Sequence, residues 1–449
     1  MERSLYSELL TWKGSSRRKP LVLRGARQTG KTFLLKEFGR REYQRTAYFD
    51  FEQDPGLDSF FQRDLDPGRI LKELSMYRGI KLRPETDLII FDEIQASNSA
   101  LNSLKYFREQ AAGYHLVAAG SLLGISLSER ASFPVGKVSF LNLFPMSFSE
   151  YLRAAGLSDY LGFLEGPPVP LPDAIHTDLT DQLRRYFVVG GMPEVVEHFL
   201  ETEDPGVIRK LQRDILDAYI LDFAKHAPGS DIPKLRIIWD SLPRQLGREN
   251  RKFMFSVARK GARAREYENA LRWLDDAGLI HLCRMVSTPR IPLAHYSDQS
   301  AFKVYALDVG LLGAMAGADP NQLLQGGRAF TEYRGALTEN YVAQELLAAG
   351  HRDLYYWRST GGKAEVDFLC ELEGEVIPIE VKAGLNRKSK SLKSFAQQYD
   401  PKELFRCNLL NLKQDGRICN IPLYAISRLS RSGHSAELPT HCPTRTGHT

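Results

Sequence analysis

Cysteine is scarce in this chain: five occur in 449 residues. Cys283, Cys370, Cys407, Cys419 and Cys442 show neither C-x-x-C pairing nor zinc-ligand spacing, which argues against a disulfide framework or a thiolate zinc site and fits reduced cytosolic thiols. Long apolar runs are also missing. The longest, around Leu116 to Leu127, is short, glycine-rich and broken by polar residues, and the first residues, Met1 to Tyr6, contain no apolar signal-peptide core. Neither a membrane span nor a leader is expected, and the sequence reads as cytoplasmic. No internal repeat is found. The charge is nearly balanced, with 60 Lys+Arg against 55 Asp+Glu; this mild basicity permits a nucleic-acid partner without requiring one. An apolar fraction of 43% and a charged fraction of 26% argue against extensive disorder.

What the sequence does contain is a complete G-x-x-x-x-G-K-[ST] phosphate-binding motif: Gly25, Ala26, Arg27, Gln28, Thr29, Gly30, Lys31 and Thr32. Its flanks fit the mechanism. Pro20–Arg24 reads as a buried strand and Lys31 to Phe38 as a helix, so backbone N–H groups and a helix N-terminus would face a triphosphate. Lys31 would neutralise the β- and γ-phosphates, and the Thr32 hydroxyl would take a place on Mg²⁺. Asp87 to Phe91 then forms an apolar run ending in Asp92 and Glu93, as a buried parallel strand does when its end reaches a ligand crevice. Asp92 is the candidate for the Mg²⁺ shell and Glu93 for the general base that polarises water. His115–Ala119 is another apolar strand, and Ser121 after it is either a sensor of the γ-phosphate or a turn residue. A homo-oligomer would supply an arginine in trans; Arg130, Arg184 and Arg185 are candidates that the sequence does not separate.

Thr46–Phe51 and Lys137–Leu141 complete a set of strands alternating with helices, the pattern of a doubly wound α/β domain. Four prolines between Glu165 and Asp173 forbid regular structure there. Leu183 to about Leu242 is helix-patterned, broken at Gly190-Gly191-Met192-Pro193. Phe253–Arg259 and Arg265–Ala277 read as helices, and Leu279–Cys283 and Phe302–Ala306 as strands, the layout of a winged helix. Arg248, Arg251, Lys252, Arg259, Lys260, Arg263 and Arg265 cluster there, a concentration of charge suited to a DNA backbone or to a solvated face. A helix follows from Tyr333 to Ala349. The polar tail from Ser427 reads as frayed, its His434, His441, Cys442 and His448 as solvated residues rather than metal ligands.

Between Glu365 and Lys382 lies a hairpin. With Glu373-Gly374 as the turn, residues pair when their numbers sum to 747, which puts Asp367 opposite Glu380 on one face and turns Lys382 to the same side. Two such carboxylates are close enough to share a divalent cation, Mg²⁺ or Mn²⁺. The other face carries Val366, Phe368 and Cys370 against Val381, Ile379 and Ile377, an apolar set for the core.

The segments Arg24–Thr32, Ile90–Gln95, Phe144–Glu150, Tyr186–Glu194, Tyr305–Leu311, Glu339–Val342 and Glu380–Lys382 together resemble the bacterial and archaeal AAA-class P-loop ATPases that carry a C-terminal domain of unknown function 4143. The D…E-x-K pattern on a hairpin resembles the PD-(D/E)xK nucleases, although no proline precedes Asp367. That resemblance implies Glu339, on the preceding helix, as a third metal ligand, with Asp367, Glu380 and Lys382 as the cleavage residues. The family resemblance and the pattern of elements together give the expected organisation: a P-loop AAA-type domain over residues 1–165 with a doubly wound parallel sheet, a helical lid or connector over 174–242, a winged helix over 243–325, a restriction-endonuclease-like α/β domain over 326–428 and a tail over 429–449. The expected function is a Mg²⁺-dependent ATPase that couples nucleotide state to DNA binding through the winged helix and C-terminal domain, with cleavage an open question. The alternative is a nucleotide-dependent switch with a catalytically idle nuclease fold.

Overall fold

A computed structural model describes residues 1–121, 136–248, 251–324, 328–384 and 389–430. These form two compact units. The tail ligand candidates His434, His441, Cys442 and His448, and Arg130, lie outside the described residues.

The first unit comprises Met1–Phe144 with Asp276–Leu279. Strands β1 (Leu21–Arg24), β2 (Arg45–Asp50), β3 (Asp87–Asp92), β4 (His115–Gly120) and β5 (Ser139–Asn142) make one sheet in the order β2-β3-β4-β1-β5, and every pairing is parallel. Each expected strand forms within two residues of its sequence-read limits. The near-continuous apolar runs of β3 and β4 follow from burial on both faces. Ile89 and Phe91 point into a cluster with Phe49, Phe61, Leu104 and Phe107, while Leu88 and Ile90 point to the opposite face with Leu34, Leu35 and Phe38 of the helix Lys31–Glu42. Parallel register brings the strands' C-terminal ends to one edge, with Arg24 beside Gly120 and Phe91 beside Ala118. That edge is where an open α/β sheet binds its ligand.

The second unit comprises Pro145–Asp275 and Ile280–Thr449. Its chain runs without regular structure from Gly166 to Pro172 and then through the helices Asp173–Val189, Pro193–Thr202, Pro205–His226 and Ile232–Leu246. Gly190 ends the first of these at φ 75°, and an added Cβ there would collide with the Asp308 carboxylate. An eight-stranded mixed sheet follows, built from β6 (Ile280–Val286), β7 (Ser297–Ala306), β8 (Leu354–Arg358), β9 (Glu365–Leu372), β10 (Glu375–Val381), β11 (Leu404–Asn408), β12 (Lys413–Asp415) and β13 (Ile418–Pro422). Its order is β12-β13-β11-β10-β9-β8-β6-β7.

The hairpin register is the one the turn dictates: Glu375 pairs with Leu372 and Ile379 with Phe368. Glu373 and Gly374 have φ values of 49° and 79°, the left-handed pair of a two-residue hairpin turn. The helix pair Phe255–Ala258 and Ala264–Asp276 and the hairpin β6–β7 occur in the order expected of a winged helix. The hairpin is not a free-standing wing, however. β6 also pairs in parallel with β8, Cys283 beside Leu354 and Val286 beside Trp357, so residues 280–306 form the margin of the C-terminal sheet.

Candidate functional site: a phosphate loop and an acid pocket

At the ligand edge of the first unit, the loop between β1 and its helix turns through positive φ at Gly25, Gln28 and Gly30. Gly25 (φ 155°) and Gly30 (φ 91°) lie at positive φ, and a Cβ on Gly25 would run into the Leu143 carbonyl oxygen. Arg3 fastens the loop from outside, donating to the Thr29 carbonyl at 2.7 Å and the Phe144 carbonyl at 2.5 Å. Lys31 Nζ donates to the Gly25 and Ala26 carbonyls at 2.9 and 2.7 Å. Burial pushes the ammonium down to about 8, opposed by the charges of Glu93 and Asp92.

Thr32 Oγ1 donates to Asp92 Oδ2 at 2.7 Å. The hydroxyl and carboxylate named as the Mg²⁺ pair therefore meet across sixty residues of sequence. The same Asp92 oxygen accepts from Tyr48 Oη at 2.9 Å. Glu93 adopts φ 47°, which lifts its side chain off the strand direction. Its Oε2 accepts from Ser121 N at 3.3 Å, Ser121 Oγ at 3.2 Å and Gln95 Nε2 at 2.5 Å. Ser121 also accepts from Arg27 Nε at 3.3 Å, and Arg27 pairs with Glu52 at 3.3 Å. Sequence reasoning missed Tyr48, Gln95, Glu52 and Arg3. Gln95 lay two residues beyond Glu93; Tyr48 had no local signal. Of the trans-acting candidates, Arg184 pairs with Asp181 at 2.5 Å and Arg185 with Glu203 at 3.6 Å, both side chains remaining partly exposed.

The second unit holds a pocket of about 260 Å³ lined by Arg251, Glu339, Glu365, Asp367 and Lys382 among others. Glu339, from the helix Arg328–Ala348, and Asp367, from β9, do share it. Their oxygens are already engaged. Glu339 forms an ion pair with Arg251 and accepts from Tyr305 Oη at 3.2 Å, and Asp367 Oδ2 accepts the Val381 N–H at 2.8 Å. Glu380 pairs instead with Lys382 at 2.9 Å; its Oε2 is buried and has no hydrogen-bond partner among the described residues, and burial raises its affinity for a proton against the opposing charge of Lys382. The residue not foreseen is Lys303 on β7. Its side chain is 1% exposed, and its Nζ lies 2.7 Å from Glu365, 3.7 Å from Asp367 and 3.8 Å from Glu339.

Glu339 and Asp367 thus share one cavity, while Glu380 is held by Lys382. Among the described residues, no group of three or more His, Cys, Asp and Glu side chains is placed to hold a metal ion. Of the basic cluster, Arg251 is partly buried and paired with Glu339, while Arg259, Lys260, Arg263 and Arg265 are exposed. No helix among the described residues is long and apolar enough to cross a membrane.

Comparison with known proteins gives three family matches along the chain. The family of the AAA domain matches residues 17–152, a domain of unknown function (DUF8612) residues 180–322, and a domain of unknown function (DUF4143) residues 334–425. No curated protein matches. Similar solved structures include the Walker-type ATPase PABY2304 of Pyrococcus abyssi, at 15% identity and a TM-score of 0.43 over 70% of this chain and 95% of that one. The Aeropyrum pernix ORC1 protein in complex with DNA gives 15% and 0.28, covering 70% and 90%. The Thermotoga maritima RuvB Holliday junction branch migration motor gives 17% and 0.27, covering 65% and 87%. With the phosphate loop, the acidic strand end and the parallel sheet in place, the family matches identify an AAA-type P-loop ATPase domain over residues 17–152 and a C-terminal DUF4143 domain over residues 334–425.

Proposed function

We propose that the first unit binds and hydrolyses ATP and that nucleotide state governs engagement of DNA by the second. The observation that carries the hydrolytic reading is the meeting of Thr32 with Asp92 beside a Glu93 held by Ser121 and Gln95. Binding alone needs no second, fixed carboxylate there. In this reading the loop N–H groups cradle the phosphates, and Lys31 turns from the Gly25 and Ala26 carbonyls to the β- and γ-phosphate oxygens. Thr32 and Asp92 would hold Mg²⁺, which when bound neutralises phosphate charge. Glu93 orients the attacking water and accepts its proton, while Ser121, on the neighbouring strand, reports the γ-phosphate.

Steady-state ATP turnover tests the reading. Lys31→Ala is expected to abolish turnover, and Glu93→Gln to retain ATP binding while losing about 10²-fold or more in kcat. Turnover unchanged in both would sink it.

The DNA half of the proposal rests on the exposed Arg259, Lys260, Arg263 and Arg265 around the second helix of the pair. Duplex binding that weakens steeply with salt, and loses part of that slope when these residues become alanine, is the expected result. Absence of binding at low salt would favour the second reading, a nucleotide-dependent switch acting on a protein partner. The placement of Lys303 among the acids favours that reading's idle nuclease fold, so cleavage is not part of the proposal.

A further inference from the structure

We propose that Lys303 is the resident cation of the C-terminal acid pocket, its ammonium standing where a nuclease-like site would hold a divalent metal. The pocket is therefore metal-independent in the wild-type chain. This inference concerns the second unit alone and stands or falls separately from ATP hydrolysis.

A buried lysine is costly unless carboxylates surround it. Lys303 sits between the core residues Phe302 and Val304 on β7, with its Nζ over the Tyr356 ring at 4.9 Å. Three carboxylates from two elements converge on it: Glu365 and Asp367 from β9 and Glu339 from the helix Arg328–Ala348. A divalent ion bound by the same oxygens would lie about 2–2.6 Å from each of them. It would then be only a few ångströms from the ammonium, in a setting where like charges repel strongly. The oxygens facing away from Lys303 are engaged as well: Glu339 by Arg251 and Asp367 by the Val381 N–H. Metal entry requires Lys303 to leave, yet its side chain is 1% exposed, against 29% for Lys382. The cluster keeps the placement of a two-strand acid site, and its cation is covalently part of the chain.

The test is Mn²⁺ binding to the full nucleotide-free chain, read by electron paramagnetic resonance of free Mn²⁺, with Asp92→Asn in every arm so that the phosphate-loop site contributes nothing. The protein that retains Lys303 is expected to take up no Mn²⁺ at millimolar concentration. Lys303→Met is expected to gain about one site per chain, lost again when Asp367→Asn is added. Uptake by the Lys303-containing protein that disappears with Asp367→Asn overturns the proposal. So does a folded Lys303→Met chain that binds none. Should Lys303→Met fail to fold, the comparison of the Lys303-containing protein with and without Asp367→Asn decides the question alone.

Discussion

Lys31 has two sets of partners to choose between. Its ammonium rests on the Gly25 and Ala26 carbonyls, and burial brings it down to about 8 from an ordinary value of 10.5. Triphosphate would restore the charged form, because an opposite charge at contact favours the ion. The sign follows. Below pH 8 the lysine is already protonated and ATP binding moves no proton at this group; between about pH 8 and 10 the free protein is partly neutral there, so binding takes up as much as about one proton. Calorimetry of ATP binding at pH 9 in two buffers of different ionisation heat should report that uptake, and Lys31→Ala should remove it together with most of the affinity. Tyr48 supports a second expectation. Its hydroxyl and that of Thr32 converge on one oxygen of Asp92, and a hydrogen bond to a carboxylate contributes about 1.5–3 kcal/mol. Tyr48→Phe should lower kcat by about 10-fold while leaving KM for ATP nearly unchanged. An unaltered kcat would remove Tyr48 from the machinery.

Elements whose geometry is set by neighbouring residues were legible in the sequence. The phosphate loop, the apolar strand into Asp92 and the β9–β10 hairpin are each specified by spacing that a short stretch contains, and a strand's period of two fixes which side chains share a face once the turn is located. The turn itself yields a prediction. Gly374 stands at φ 79° with nothing within 4 Å of an added Cβ, so Gly374→Val costs backbone strain rather than a clash, about 1–2 kcal/mol. Urea unfolding should register that loss, and Gly374→Asn, which tolerates the left-handed region, should recover much of it. What was not legible is what crosses between elements. Nothing near Lys303 marks it as the partner of Glu365, sixty-two positions away, and a basic residue in an alternating strand reads as solvent-facing. The same limit hid the ion pair between Arg251 and Glu339, eighty-eight positions apart. It also hid the pairing of β6 with β8, which joins a supposed wing to the C-terminal sheet.

Across the second unit as a whole, sequence-distant segments are fastened by a buried polar knot rather than by apolar packing alone. Gln344 Nε2 donates to Tyr186 Oη at 2.7 Å, Gly191 N donates to the Asp308 carboxylate at 2.6 Å, and Glu345 Oε1 accepts the Phe148 N–H at 2.8 Å. The Gln344–Tyr186 bond ties together the segments matched by the two families of unknown function, and the Phe148–Glu345 bond spans 197 positions. The glutamate is the titratable weak point. Burial raises Glu345 to about 8 from an ordinary 4.5, aided by the negative charge of Glu150 and opposed by the Phe148 N–H. A carboxyl raised in the folded state binds more protons there than in the unfolded chain between those two values, so stability falls as pH rises from about 4.5 to 8 and is level above. The slope from this one group is at most about 1.4 kcal/mol per pH unit. Glu345→Gln keeps an acceptor for Phe148 and cannot ionise. Urea unfolding of wild type and variant at pH 5 and pH 8 should therefore show a larger loss on going to pH 8 in the wild type than in the variant, Asp308, raised to about 6 by its own burial, contributing the same smaller loss to both. Parallel pH dependences in the two proteins would mean that the Glu345 carboxylate is ionised in place at no cost, and that the knot is wetter than its burial implies.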